Sequence, residues 1–147
     1  MQVRRARAGD AAALQILYEL LVPGDPNIRV DPAHLAALES DPFNHIWLVE
    51  SDDGVCGTAL LTICRDAMYR DQPFGTVENV VLLASERGKG AGRVLMDAVE
   101  RAARAARCTK LMLLSSVARR EAHGFFAHLG YDGDRKRGFV KYLNRPR

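Results

Sequence analysis

The stretch Ser85-Glu86-Arg87-Gly88-Lys89-Gly90-Ala91-Gly92-Arg93 follows an apolar run and leads directly into an amphipathic helical pattern. Its glycines carry no Cβ, so the backbone there can pass close to a ligand. The free N–H groups and the dipole at the start of the following helix add partial positive charge. Together with the interleaved lysine and arginines, these features predict a site for a phosphate-sized anion. A strand-to-helix turn without a ligand is the alternative, although cations so close together would destabilise a purely structural turn.

Patterns on either side of this stretch predict a strand, a crossover helix and a second strand. Residues 74–83 form an almost continuously apolar run, which suits an inner strand of a sheet. Residues 90–107 repeat apolar side chains at helical spacing, with Val94 on the predicted buried face. Residues 110–115 form another short apolar run. Because a strand-helix-strand crossover joins parallel strands, we expect the two strands to be parallel.

The remaining elements favour antiparallel pairing. Residues 45–50 and 55–64 flank the turn Ser51-Asp52-Asp53-Gly54 and predict a hairpin. Further elements are an edge strand at 2–7, helices at 11–22, 32–39 and 119–129, and two short final strands at 131–134 and 138–143. The predicted class is therefore α/β, with a mixed, mostly antiparallel sheet and about four helices.

Bulk properties indicate one domain over residues 1–147. The chain is 48% hydrophobic with a formal net charge of +3, and acids and bases are interspersed over most of its length. We expect no exposed aromatics interleaved with the basic residues near the end, and therefore a solvated tail and no nucleic-acid partner. This tail contains Arg135, Lys136, Arg137, Lys141, Arg145 and Arg147.

Cysteine usage and apolar runs indicate a cytoplasmic protein. Cys56, Cys64 and Cys108 are odd in number and lack metal-ligand spacing, so we expect buried small hydrophobes in a reducing compartment and no metal site. The N-terminus lacks the apolar core of a signal peptide, and no apolar run is long enough to cross a bilayer. We therefore expect no membrane partner.

With its elements in this order, nearly the whole chain resembles the GNAT superfamily of acyl-CoA-dependent N-acetyltransferases. Arg87-x-x-Gly90-x-Gly92 matches that family's pyrophosphate loop. Val77-Glu78-Asn79-Val80-Val81-Leu82 resembles the strand before the loop, and Ala122-His123-Gly124-Phe125-Phe126-Ala127-His128-Leu129-Gly130-Tyr131 resembles the family's late helix and the Gly-aromatic pair after it. Three motifs in the right order and spacing are far more specific than any one of them.

The resemblance implies acetyl-CoA as the cofactor, lying between two parallel strands that splay apart. A splayed strand leaves backbone groups that an extended, amide-bearing arm can pair with, as an added strand would. Leu82 and Leu83 would make those backbone contacts, and the loop from Arg87 to Arg93 would hold the pyrophosphate. The expected cofactor contacts are Leu82, Leu83, Arg87, Gly88, Lys89, Gly90, Ala91, Gly92, Arg93, Arg119 and Phe126.

Glu78 is the candidate catalytic base for acyl transfer to an amine. It is an acid within an apolar strand, where burial would raise its pKa and make it a better base, acting directly or through a water. The alternative is that Glu78 faces solvent or pairs with an arginine. A backbone N–H near Leu82 would polarise the thioester carbonyl, a role that the resemblance implies.

Two positions depart from the family's pattern. Members commonly carry a Tyr where this chain has Phe126, and many have an Asn where it has Arg119. Phenylalanine cannot protonate the leaving thiolate. Substitute donors would be Ser115, Ser116, Tyr131 or His123, unless no acid is needed, since a thiol of pKa about 8.5 is a tolerable leaving group.

The same residues also allow functions other than acyl transfer. A non-catalytic acyl-CoA-binding module is the main alternative, because the loop is intact while Phe126 removes a familiar catalytic group. A Rossmann site is disfavoured, since the turn is Gly88-x-Gly90-x-Gly92 and Thr109-Lys110 stand where a ribose-binding acid is expected. We expect a small-molecule or peptide amine as the acceptor, and a small amine, an amino sugar and a protein amino group all stay open. The resemblance leaves the oligomeric state open, with a homodimer through the C-terminal strands as a frequent arrangement.

Overall fold

A computed structural model describes residues 1–144. Arg145 and Arg147 of the predicted basic tail lie outside the described residues. The chain forms two compact units, Met1–Leu113 and the residues from Leu114 onward. The expectation of one domain over residues 1–147 stays a prediction.

A five-stranded sheet is the framework of the first unit, with its strands in the order β1-β2-β3-β4-β5. All neighbours are antiparallel except β4 and β5, which are parallel. This confirms the predicted mixed sheet, the early hairpin and the parallel pair. The strands are β1 (Gln2–Arg5), β2 (Asn44–Ser51), β3 (Gly54–Cys64), β4 (Phe74–Leu82) and β5 (Leu111–Leu113).

Three helices complete the first unit: α1 (Ala11–Leu21), α2 (Pro32–Glu39) and α3 (Ala91–Ala105). Side chains from α1, α2, β2 and the residue that follows β1 form one core cluster, which contains Ala6, Leu14, Leu35, Ile46 and Leu48. Helix α3 packs against β2, β3 and β4 and joins β4 to β5 as the crossover. This crossover places the glycine loop, residues 87–93, after the carboxyl end of β4.

The prediction that Val94 is buried is wrong. Its side chain is 38% exposed, whereas Leu95 and Met96 of the same turn are buried. Each residue turns a helix by about 100°, so the buried stripe that runs through Leu95, Ala98 and Val99 leaves Val94 at its edge.

The second unit contains helix α4 (Arg120–His128), as predicted. The two predicted final strands are wrong, because residues 131–144 contain turns and bends and no strand. The Asp134 N–H donates to the Asp132 carboxylate at 3.0 Å, which favours a local turn. Phe139 and Leu143 are 87% and 86% exposed, so this segment has no buried face to fix a strand register. None of the helices within residues 1–144 is long and apolar enough to span a membrane.

An ion-pair network ties β1 to β2 and to the start of α1. The Arg4 guanidinium donates two parallel bonds of 2.8 Å to Asp10 and also donates to Glu50 at 2.7 Å. Asp10 further accepts the Arg7 N–H at 2.8 Å. These partners, with Arg4 first, lower the pKa of Asp10. The charged form of Asp10 is therefore favoured in the folded state.

Asp10→Asn is expected to lower the free energy of unfolding by about 1–3 kcal/mol at neutral pH, because charge-assisted bonds to Arg4 are lost. The pKa of Asp10 is lower in the folded than in the unfolded state. Its contribution is therefore present above the unfolded pKa and is lost as pH falls through the folded pKa. Urea titrations across this acidic range should show the difference disappearing. Asp53→Asn, at the exposed hairpin turn, is the control; an equal effect there would contradict this account.

Candidate active site

A β-bulge interrupts the middle of β4 at Asn79. Two consecutive residues, Asn79 and the one after it, lie opposite a single residue of β3. Asn79 has φ 56°, in the left-handed region that asparagine tolerates better than most residues. The bulge breaks the strand's alternation, because Glu78 and Asn79 are both exposed while Val77 and Val81 are buried. Glu78 lies on the less buried face that alternates with Val77, whereas Asn79 departs from the alternation, so both are open to solvent in the middle of β4.

Glu78 differs in one respect from the sequence-based expectation. The residue as a whole is exposed, so the interpretation of a buried acid is wrong. Partial desolvation by surrounding protein atoms nevertheless raises the pKa of its carboxyl group, in the expected direction. Among residues 1–144, no ion pair with an arginine is recorded for Glu78. A solvent-accessible carboxylate with a raised pKa is suited to accept a proton.

At the carboxyl end of β4, some backbone groups point to the side of the strand opposite β3. In the sheet of residues 2–113, β5 pairs with β4 only over Gly75–Val77. The Leu83 N–H donates to the Cys56 carbonyl at 2.8 Å, which makes Leu82 and Gly57 a non-hydrogen-bonded pair. A Cβ at Gly57 would overlap the Leu82 side chain, in keeping with this close approach. The backbone groups of Leu82 therefore point away from β3, beyond the last residue that pairs with β5.

Leu83 is less available than Leu82 for contacts with a ligand. Its N–H already donates to Cys56, and its carbonyl accepts the Glu86 N–H at 3.0 Å. That second bond closes a 3₁₀ turn over Ala84–Glu86, which carries the chain from β4 into the glycine loop. The geometry supports backbone contacts from Leu82 more than from Leu83, and both stay predictions.

The glycine loop has an open backbone surface at two of its glycines. Gly88 and Gly90 have φ 75° and 90°, and no protein atom lies within 4 Å of a Cβ built at either residue. Glycine alone adopts these angles without strain, and any side chain there would fill the space in front of the loop. Arg87 and Lys89 are exposed on the same loop.

Amide groups of helix α3 begin directly after the loop. Gly90 is the N-cap, and the Val94 N–H makes the first helical bond, to the Gly90 carbonyl at 3.1 Å. The amides of Ala91, Gly92 and Arg93 therefore precede the helical hydrogen-bond ladder. Together with the loop cations and the open glycine backbone, they form a donor set that fits the pyrophosphate of CoA.

Glu86 is a site residue that the sequence analysis did not identify. It is only 7% exposed, and its carboxylate lies 3.5 Å from the Lys89 ammonium. Acids are rarely so buried unless they are paired. An acid directly before a run of cations was the available signal, but its burial depends on the 3₁₀ turn, which sequence patterns do not predict.

In the second unit, Phe126 and Arg119 lie on and next to helix α4. Phe126 is buried, with its ring centroid 5.3 Å from that of Phe125 and 5.9 Å from that of Tyr131. Arg119 is the N-cap, and its N–H donates to the Ser116 carbonyl at 3.0 Å.

The substitute proton donors proposed from the sequence have different surroundings in this unit. A ring nitrogen of His123 lies 2.8 Å from the Ser116 carbonyl, and because a carbonyl only accepts, that nitrogen carries a proton. The Ser115 hydroxyl is buried, with no hydrogen-bond partner among the described residues.

Of the predicted site residues, the structure places Glu78, Leu82, Leu83 and the loop from Arg87 to Arg93 on consecutive elements of the first unit. Arg119 and Phe126 belong to the second unit. Within residues 1–144, no group of three or more potential metal ligands is found.

Comparison with known proteins gives a consistent result. The sequence profile of the Acetyltransferase (GNAT) family matches residues 14–131. N-alpha-acetyltransferase 80 from Mus musculus is 33% identical over 109 residues, which cover 72% of this chain; the match spans only 33% of the mouse protein.

Solved structures share the fold. A presumed acetyltransferase from Agrobacterium tumefaciens str. C58 is 30% identical, with a TM-score of 0.87, over 97% of this chain and 100% of that one. AAC(6')-Iy, solved with the bisubstrate analogue CoA-S-monomethyl-acetylneamine, is 21% identical with a TM-score of 0.76, over 97% of both chains. At this identity the likeness establishes a shared fold and nothing more. The chain belongs to the GNAT family of N-acetyltransferases, whose cofactor is acetyl-CoA.

Proposed function

We propose that this protein transfers the acetyl group of acetyl-CoA to a primary amine, with Glu78 as the catalytic base. The observation that carries the proposal is the exposed Glu78 at the β4 bulge, on the strand that leads directly into the glycine loop. When bound, acetyl-CoA supplies an acetyl group activated as a thioester, which the amine attacks directly. Glu78 takes the proton of the amine, directly or through a water.

In this proposal, the predicted site residues contact different parts of the cofactor. Leu82 offers backbone groups to the pantetheine arm, and Leu83 contributes less because both its backbone groups are engaged. A backbone N–H near Leu82 polarises the thioester carbonyl. Arg119 and Phe126, which belong to the second unit, stay predicted cofactor contacts. The pyrophosphate ligands are Arg87, Gly88, Lys89, Gly90, Ala91, Gly92 and Arg93.

No side-chain acid is required for the leaving thiolate in this proposal. Phe126 has no proton to donate, and it packs as a core aromatic against Phe125 and Tyr131. A thiol of pKa about 8.5 leaves tolerably near neutral pH.

A non-catalytic acyl-CoA-binding module is the second candidate, because Phe126 replaces a familiar catalytic group while the loop is intact. Incubating the purified protein with acetyl-CoA and a panel of amines, while free thiol is measured, separates the two. Peptide N-termini, amino sugars and aminoglycosides belong in the panel. Turnover with one amine class supports the enzyme, whereas CoA binding in calorimetry without thiol release on any amine supports the module.

Acceptor, location and assembly complete the proposal. We infer a small-molecule or peptide amine as acceptor, without nucleic acid or membrane as a partner. The free thiols of Cys56, Cys64 and Cys108 support a cytoplasmic location. Exposed apolar side chains such as Phe139 and Leu143 support a homodimer through the C-terminal segment.

A further inference from the structure

A buried acid, Glu86, directly precedes the loop that is proposed to bind an anion. Glu86 and Thr58 are the buried polar or charged residues found within residues 1–144, and Glu86 is the charged one. A carboxylate at this place repels a diphosphate, so its presence in an anion site needs a physical explanation.

Glu86 makes one backbone contact and one side-chain contact at the end of the 3₁₀ turn. Its own N–H donates to the Leu83 carbonyl at 3.0 Å, which holds the residue at the end of the 3₁₀ turn. Its Oε1 lies 3.5 Å from Lys89 Nζ, three residues further along the loop. The Glu86 side chain is 9% exposed and that of Lys89 is 59% exposed. Lys89 is therefore paired with a buried carboxylate of the protein, while its own side chain stays exposed to solvent.

The charge of Glu86 also acts on the protein interior. Burial, and after it the charge of Glu86, raises the pKa of the Cys56 thiol on β3. Cys56 is the residue whose carbonyl accepts the Leu83 N–H. Glu86 is therefore a buried charge in the turn between β4 and the loop. Water screens a charge there less than at the surface.

We propose that Glu86 limits the affinity of the loop for the diphosphate of CoA, by holding Lys89 in an internal ion pair and by repelling the bound anion. It is a positioning residue in this account, because it acts on Lys89 and on the bound diphosphate and touches no reacting atom. The benefit to an acyltransferase is rapid release of the CoA product. This inference rests on the proposed function, since it needs CoA to bind at the loop.

Calorimetric titration of Glu86→Gln with CoA tests the proposal without requiring turnover. Glutamine keeps the size of the side chain and removes its charge, so the Kd should fall about threefold to tenfold. The affinity should also depend more steeply on salt concentration, because one more loop cation is uncompensated. Glu86→Met removes the charge with an apolar side chain of similar length, and it serves if the glutamine variant fails to fold.

Two further variants separate electrostatics from structure. Glu100→Gln removes an acid that pairs with Arg104 at 2.6 Å on the exposed face of α3, away from the loop, and it should leave the Kd unchanged. Lys89→Met should weaken CoA binding more in the Glu86→Gln background than in the wild type, because Lys89 is then no longer neutralised.

Each outcome decides the inference. An unchanged Kd in Glu86→Gln overturns it, and so does weaker binding with a lowered Tm, which would make Glu86 a structural support of the turn. If the wild type does not bind CoA, the proposed function fails. Titration of the same variants with inorganic pyrophosphate then tests Glu86 alone; tighter binding in Glu86→Gln supports the inference, and no binding in any variant overturns it.

Discussion

Replacing Glu78 with Gln is expected to lower kcat about 100-fold, the usual size of a general-base contribution. Glutamine occupies nearly the same volume at the β4 bulge but cannot accept the proton of the amine. Affinity for CoA should stay within about twofold of the wild type, because the loop and the amides of α3 are unchanged. Steady-state kinetics at saturating amine, with calorimetry of CoA binding, measures both quantities.

The pH dependence gives a second test of Glu78. Desolvation raises the pKa of its carboxyl group, so the active, deprotonated form should be lost as pH falls through a value above the ordinary one of 4.5. In Glu78→Gln this acidic limb of the kcat profile should be absent. Glu100→Gln, an exposed acid of α3, should retain the wild-type profile. Equal profiles for wild type and Glu78→Gln would remove Glu78 as the base.

Gly90→Asp is expected to weaken CoA binding at least about 100-fold. Gly90 has φ 90°, which strains any residue with a Cβ by about 1–2 kcal/mol. The added carboxylate would project into the open space before the loop, where a diphosphate is proposed to bind. Calorimetry with CoA measures the loss, and Gly90→Asn should show a smaller one because it adds bulk without charge.

Gly24→Asp is the matched control for this loop variant. Gly24 has φ 79° and open space around a Cβ, so it imposes comparable strain and the same charge in the turn after α1. Its affinity for CoA should equal that of the wild type. Wild-type CoA binding in Gly90→Asp would instead place the pyrophosphate elsewhere.

Local sequence patterns predicted much of this fold, because turns and helix starts depend on residues that are close together in the sequence. The apolar runs around Ser51-Asp52-Asp53-Gly54 predicted the hairpin, and Gly90 marked the start of α3. The bulge at Asn79 was not predicted, since it depends on how β3 and β4 pair over a distance in sequence. The same holds for the burial of Glu86, which follows from the 3₁₀ turn. The predicted strand at residues 138–143 was wrong, because an apolar segment without a buried face does not fix a strand register.

The bulge at Asn79 also bears on how a chain of this kind can change over time. Pairing between β3 and β4 is regular on both sides of it, with Glu78 opposite Leu60 and Val81 opposite Thr58. Loss of one residue at the bulge would leave both flanking ladders in register. A single-codon deletion would therefore straighten the strand after Glu78 while the sheet persists, and an insertion would restore the bulge. Evolution at this strand can act through chain length as well as through substitution.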